Sequence, residues 1–272
     1  MLDFIIRVWT KIRDFTHRKI TDFIRNTHDH YLCFLAARPK SLTHLLLKLF
    51  FRGVRMDADQ TSKLESLPGD AILIYVTKFK SYFDFQFCHT RFLQEGLRAP
   101  EIGLGYHAKI GQPASRFLRI LVAKLDHAFR HGHLPNPYQR GYYRHELLIG
   151  RCAFFSLVEE RGFYRRFVKS AIDPVEYLIE LQRTTKRPIY IIPNLMFFSK
   201  KPFRSRISPW DMVFGTEQNP GAFRKLVTLF KHPGRIFMEI SEPVSLVDFL
   251  SASENRNRST IHLSLVLRRR LL

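Results

Sequence analysis

Cysteine, acidic residues and long apolar runs are what this chain has little of. Its three cysteines, Cys33, Cys88 and Cys152, lie far apart with no CxxC spacing. That argues against a disulfide framework or a zinc site and points to a reducing compartment. Carboxylates number 24 against 44 lysines and arginines, leaving a net charge of +20. An excess of this size points to an anionic partner: a membrane surface, nucleic acid or a phosphorylated small molecule. No stretch approaches the ~18 consecutive apolar residues of a membrane-spanning helix. The longest runs, such as 45–51, are broken by charges like Lys48. The first residues do not read as a signal peptide, because Arg7, Lys11, Arg13 and Asp14 interrupt their apolar positions.

What is present is enough for a sizeable core. The chain has 272 residues, 45% of them hydrophobic, with 25 phenylalanines. One large domain, with or without an appendage, is the expectation. Residues 2–25 keep three-to-four spacing of apolar groups, among them Trp9, Phe15 and Phe23, with Arg7, Lys11, Arg18, Lys19 and Arg25 elsewhere. This predicts an amphipathic helix, either packed on its own domain or lying on an anionic membrane. Ser41 is placed to cap a second helix over 42–52.

From about residue 67 the rhythm changes. Pro68-Gly69-Asp70 is a turn signal, and 71–76 is a short apolar run of the kind buried on both faces of a sheet. Helices are predicted over 83–95, 115–125, 140–151 and 174–183, the last opened by Asp173-Pro174. Strands are predicted over 102–105, 153–158, 188–193 and 235–240. The alternation predicts an α/β fold, a mainly parallel central sheet flanked by helices, with an N-terminal helical segment. The expected division is 1–60 as the amphipathic helical segment, 61–250 as the α/β domain and 251–272 as a basic C-terminal tail.

The order of motifs resembles the glycerol-3-phosphate acyltransferase family. "IYVTKFKSYFDF" (74–85) is similar to that family's first block, a strand followed by His, four residues and Asp; Asp84 matches the Asp. "GLGYHAKIGQPASRFLRILVAKLDHAFRHG" (103–132) resembles the second block in layout, and Arg130 keeps a basic residue just after Phe129. "FFSLVEERGFYRR" (154–166) resembles the third, with Glu159 and Arg161 as the nearest matches. "RPIYIIPNLMFF" (187–198) is similar to the fourth, and "RIFMEISEPVSLVDFL" (235–250) to the family's late strand and Glu-Pro turn.

The resemblance implies transfer of an acyl group from acyl-CoA or acyl carrier protein, as co-substrate, to a hydroxyl of glycerol 3-phosphate or a related lipid. It implies no bound cofactor and no metal. It also implies a chain that ends short of the bacterial members. The substrate phosphate would meet Arg130, Arg161, Arg165, Arg166 and Lys169; the alternative for these residues is a solvated basic face. The departures from the family pattern are chemical. Phe79 stands where the first block has its His, and in the family that imidazole takes the proton of the attacking hydroxyl, a contribution of roughly 10²–10⁴-fold. Asp126 and His127 stand near where the second block has consecutive arginines, and Glu160 where the third has a glycine.

Lys78, Lys80, His89 and His107 lie near the expected cleft, with His107 the one placed to enter it. Asp84 could instead cap the helix that begins beside it. His17 and Asp22 repeat the His-x4-Asp spacing but fall inside the first predicted helix, about 140° apart around its axis.

The expectation is therefore a peripheral protein on the cytoplasmic side of a membrane, with acyl transfer weak or lost. The alternative is a non-catalytic relative that binds acyl-CoA or lipid. A nucleic-acid binder is the remotest reading, since no such module appears and the cations are spread along the chain.

Overall fold

The computed structural model describes residues 31–35, 48–49, 51, 55–56, 58–107, 114–158, 172–198 and 236–272. The helix expected over 2–25, with Trp9, Phe15 and Phe23, lies outside them. So do Glu159, Arg161, Arg165, Arg166 and Lys169. Of the helix expected over 42–52, Lys48, Leu49 and Phe51 are described, and all three are helical.

Three apolar runs and one short edge strand form a parallel part of one sheet. They are β2 (Ile72–Phe79), β3 (Pro100–Gly103), β4 (Cys152–Val158) and β5 (Ile189–Phe198). Two-residue periodicity sends alternate side chains to opposite faces. Ile72, Ile74 and Val76 of β2 join Ala153, Phe155 and Leu157 of β4 in one buried cluster. Leu73 and Tyr75 join Cys152 and Phe154 in the other. Both faces are covered, which is why these strands read as continuous apolar runs rather than alternating ones. The three cysteines are buried as free thiols.

The sheet also includes β1 (Arg55–Met56), β6 (Ile236–Ile240) and β7 (Val244–Ser245). Its order is β1-β6-β5-β2-β4-β3, with β7 paired to β5. Pairings within β5-β2-β4-β3 are parallel, as is β1 with β6; β6 and β7 run antiparallel to β5. The fold is α/β with a mostly parallel central sheet, as the alternation predicts. β5 continues past the expected end at Pro193. Up to that residue it pairs with β2, and from Asn194 it pairs with β6. A residue without an N–H thus sits where the ladder changes partner.

Seven helices lie among the described residues. α1 (Ala58–Glu65) and α2 (Tyr82–Gln94) supply the second cluster, through Leu64, Phe85, Phe87 and Phe92. α3 (Ala114–His131) and α4 (Tyr142–Leu148) connect β3 to β4. The first cluster is closed by α4, α5 (Pro174–Thr184), α6 (Leu246–Ser251) and α7 (Thr260–Leu271). The start of α5 is as read from sequence. The Asp173 side chain caps Val175 N–H at 2.8 Å, with Pro174 at the first helical position.

Within the expected basic tail over 251–272, Thr260–Leu271 form a helix that packs on the core. Ser259 caps α7, and Leu263, Leu267 and Leu271 place one apolar side chain per turn into the core. Each such leucine, fully buried, is worth about 1.5–3 kcal/mol. Arg268 is not a tail charge either. Its guanidinium donates to both Asp173 oxygens (2.6 and 2.8 Å) and to the Leu157 carbonyl, tying α7 to α5 and to the end of β4. The run of arginines hid an apolar stripe of four-residue period.

Candidate functional site

The parallel strands change character at their carboxyl ends. On the α2 side, β2 presents Leu73 and Tyr75 and then Thr77. β4 presents Cys152 and Phe154 and then Ser156, and β5 presents Ile192 and then Asn194. Thr77 pairs with Ser156, and Val76 pairs with Pro193. Registered strands therefore put three polar side chains in one row, and all three are buried. Burying polar groups in an apolar layer costs free energy unless they are hydrogen-bonded or used. In open α/β sheets the carboxyl ends of the strands are where ligands bind.

α2 begins directly above this row. The Ser81 side chain accepts the Asp84 N–H at 3.2 Å and is the N-cap. Asp84 is therefore not the cap of its helix but the third residue within it. There its carboxylate meets the positive end of the helix dipole. Asp84 is buried, and Cys88, one turn further on, lies on the same side of the helix. The Asn194 amide donates to Cys88 Sγ at 3.1 Å, which fixes that side of α2 against the polar end of β5.

Tyr106 closes the layer from the β3 side. Gly105, at φ 75°, turns the chain after β3, and the Tyr106 ring packs against Phe85 and Phe154, each with centroids 5.5 Å away. Its ring is buried, and among the described residues its hydroxyl finds no partner of normal hydrogen-bond geometry. Burial pushes the phenol far above its ordinary range. The Ser156 and Thr77 hydroxyls and the Ser81 backbone pull it down, and the Asp84 charge adds to the rise. The group is thus a neutral O–H, a donor among the polar residues rather than a base. Lys80 Nζ stands 5.4 Å from the centroid of the same ring.

Gly103 makes this possible, because a Cβ there would fall 2.5 Å from Tyr106 Cβ and 3.1 Å from Phe85. Gly103→Ala should displace Tyr106 and cost about 1–3 kcal/mol, the usual range for overpacking. A denaturant titration checks this. An unchanged midpoint would mean that Tyr106 is loosely held.

The residues singled out from sequence divide as follows. Phe79 is the last residue of β2, opposite Val158; it is 46% exposed, with Lys78 Nζ 5.5 Å from its ring centroid. His89 is buried, and its Nδ1 lies 2.8 Å from the Pro100 carbonyl, a hydrogen bond that holds α2 to β3. His107 is exposed, next to Tyr106. Arg130 lies in the last turn of α3, where Nε and Nη2 both bond Asp126 Oδ1, at 3.0 and 2.9 Å. His127 is buried beside Arg140, whose Nη2 is 3.3 Å from its Nδ1. Among the described residues, no group of three or more His, Cys, Asp or Glu is placed to hold a metal ion. Nor is any helix long and apolar enough to cross a membrane.

Thr77, Ser156, Asn194 and Tyr106 are members of this layer that the sequence reading did not single out. Each of the first three follows an apolar run, which is a visible signal. Only the register shows that they line up.

Fold and polar row together define an α/β domain with buried polar side chains at the carboxyl ends of its parallel strands, beside the start of α2. The family model described as the glycerol-3-phosphate acyltransferase PlsB N-terminal domain matches residues 120–271, over half of the chain. The chain belongs to that family. The matched interval begins inside α3; it includes Ser156 and Asn194, while Phe79, Asp84 and Tyr106 precede it. No curated protein matches the chain.

Proposed function

We propose that this domain binds an acyl donor and a glycerophosphate in the layer formed by Thr77, Asp84, Tyr106, Ser156 and Asn194, and that acyl transfer through a His–Asp pair is lost. Family membership supports the substrate class. The observation that carries the second half is Phe79, five residues before Asp84 at the end of β2. An aromatic hydrocarbon there has no lone pair with which to take a proton from a hydroxyl. Tyr106 cannot replace it, since burial keeps the phenol protonated. A neutral phenol suits a different role, donating to a carbonyl or phosphate oxygen.

Both substrates of such a site are anionic. The donor would be acyl-CoA or acyl carrier protein, and Arg130, Arg161, Arg165, Arg166 and Lys169 are the cations this reading assigns to the acceptor's phosphate, with Glu159 as the acidic residue of the third block. The same reading puts the protein peripherally on the cytoplasmic side of an anionic membrane, where acyl chains and glycerophospholipids meet.

The test is direct. Purified protein, labelled acyl-CoA and glycerol 3-phosphate should give no lysophosphatidate above background, while the labelled donor is retained on the protein. Product formed at a rate that Asp84→Ala reduces steeply would overturn the loss of catalysis. Absence of both product and retained donor would overturn the binding.

A further inference from the structure

α3 is built the wrong way round for a surface helix. Leu118, Leu121, Leu125 and Phe129 fall within about 80° around its axis, and all four are exposed, Phe129 by 90%. On the opposite side Ile120, Ala123 and His127 are buried. Near its N-terminus Arg116 stacks on Phe34, 4.9 Å from the ring centroid. Phe34 in turn bridges to Ile102 of the edge strand β3. A surface helix ordinarily turns its apolar side inward and its polar side out. Here the long aliphatic side chains and a phenylalanine point outward, and Leu134, three residues past the helix end, is also exposed. A contiguous exposed apolar strip marks a surface that meets something.

Charge chooses the partner. The helix carries Arg116, Arg119, Lys124 and Arg130 against one carboxylate, Asp126, and the whole chain is at +20. A second copy would bring the same excess to the interface and be repelled, whereas an anionic bilayer gains from it. The shape agrees. One apolar helical ridge about 17 Å long lies flat in a headgroup region without needing a matching groove, and the helix is too charged to cross the hydrocarbon core.

We propose that α3 is a membrane-docking helix that seats Leu118, Leu121, Leu125 and Phe129 in the interface of an anionic bilayer. This rests on the membrane part of the proposed function and not on its chemistry, and it uses residues other than those of the helix expected over 2–25.

The test uses the full chain and vesicles of phosphatidylcholine, with and without phosphatidylglycerol. Wild-type protein should co-sediment with the anionic vesicles, and the double variant Leu125→Glu, Phe129→Glu should bind them about tenfold more weakly or worse, since two apolar groups leave the interface. Both sites are exposed, so the variant should fold. As a second reading, Phe129→Cys labelled with an environment-sensitive maleimide should shift its emission to the blue on adding anionic vesicles; the three native thiols are buried.

If the wild type binds and the double variant binds equally, or the probe is silent, α3 is not the docking surface, though the membrane reading stands. If the wild type binds neither vesicle, both fall. A wild-type dimer that the double variant splits into monomers, with no vesicle binding, would assign the strip to a second copy and overturn the proposal.

Discussion

Histidine at position 79 should switch acyl transfer on. In the Phe79→His variant, lysophosphatidate should form from labelled acyl-CoA and glycerol 3-phosphate about 10²-fold or more above the wild-type rate, the low end of what a positioned general base contributes. Phe79 ends its strand and is nearly half exposed, so replacing it leaves no large cavity in the core. Asp84 is already anchored in the first turn of α2, whose start is fixed by the Ser81 cap. An imidazole at that position would restore the His-x4-Asp spacing of the family's first block to a carboxylate already in place.

The pH profile gives a second check. A base must be unprotonated, so the gained activity should rise with pH through roughly 6–7, near the ordinary histidine range. Adding Asp84→Asn to the variant should abolish the gain. A variant that binds donor yet stays inactive would show that something besides the missing base limits the reaction.

The largest loss of stability should come from Asp173→Ala. The Asp173 carboxylate is buried, caps α5, and receives two hydrogen bonds from Arg268 of α7. Removing it uncaps the helix and leaves a mostly buried guanidinium without its counter-charge. Breaking a buried pair from one side typically costs about 3–5 kcal/mol, a large share of the ~5–15 kcal/mol that holds a domain together. Asp173→Asn should cost less, because the amide oxygen can still cap Val175. Urea titration of the three proteins gives the order directly. A loss under ~1 kcal/mol for the alanine variant would show that α7 is held by its leucines alone.

Much of the fold was written in the sequence where one signal dominates locally. The runs at 71–76 and 153–158 are apolar throughout because both faces of their strands are covered, and Asp173-Pro174 marks a helix start that needs no tertiary context. Where two signals compete, reading failed. In α7 the arginines at 268–270 masked leucines spaced four apart, and Arg268 itself proved to be a core ion-pair partner. At Asp84 a plausible cap was displaced by Ser81, three residues earlier.

The candidate site was legible in part. Asp84 and Phe79 could be named from block order. Thr77, Ser156 and Asn194 could not, because a polar residue after an apolar run is an ordinary strand end until registry lines three of them up. Tyr106 was hidden for another reason: nothing in its neighbours announces that Gly103 clears room for its ring. The outward apolar face of α3 was missed because its spacing is that of any amphipathic helix, and spacing does not say which side meets the core.

The central claim is that the layer under α2 is a binding site that has lost its base. It is tested most directly by equilibrium binding of labelled long-chain acyl-CoA and of glycerol 3-phosphate to the wild type and to Ser156→Trp, which fills the row between Thr77 and Tyr106. The expected result is saturable binding of both ligands by the wild type, with no product, and loss of at least one ligand in a variant that remains folded. Binding of both ligands undiminished in the folded variant, or of neither to the wild type, would contradict it.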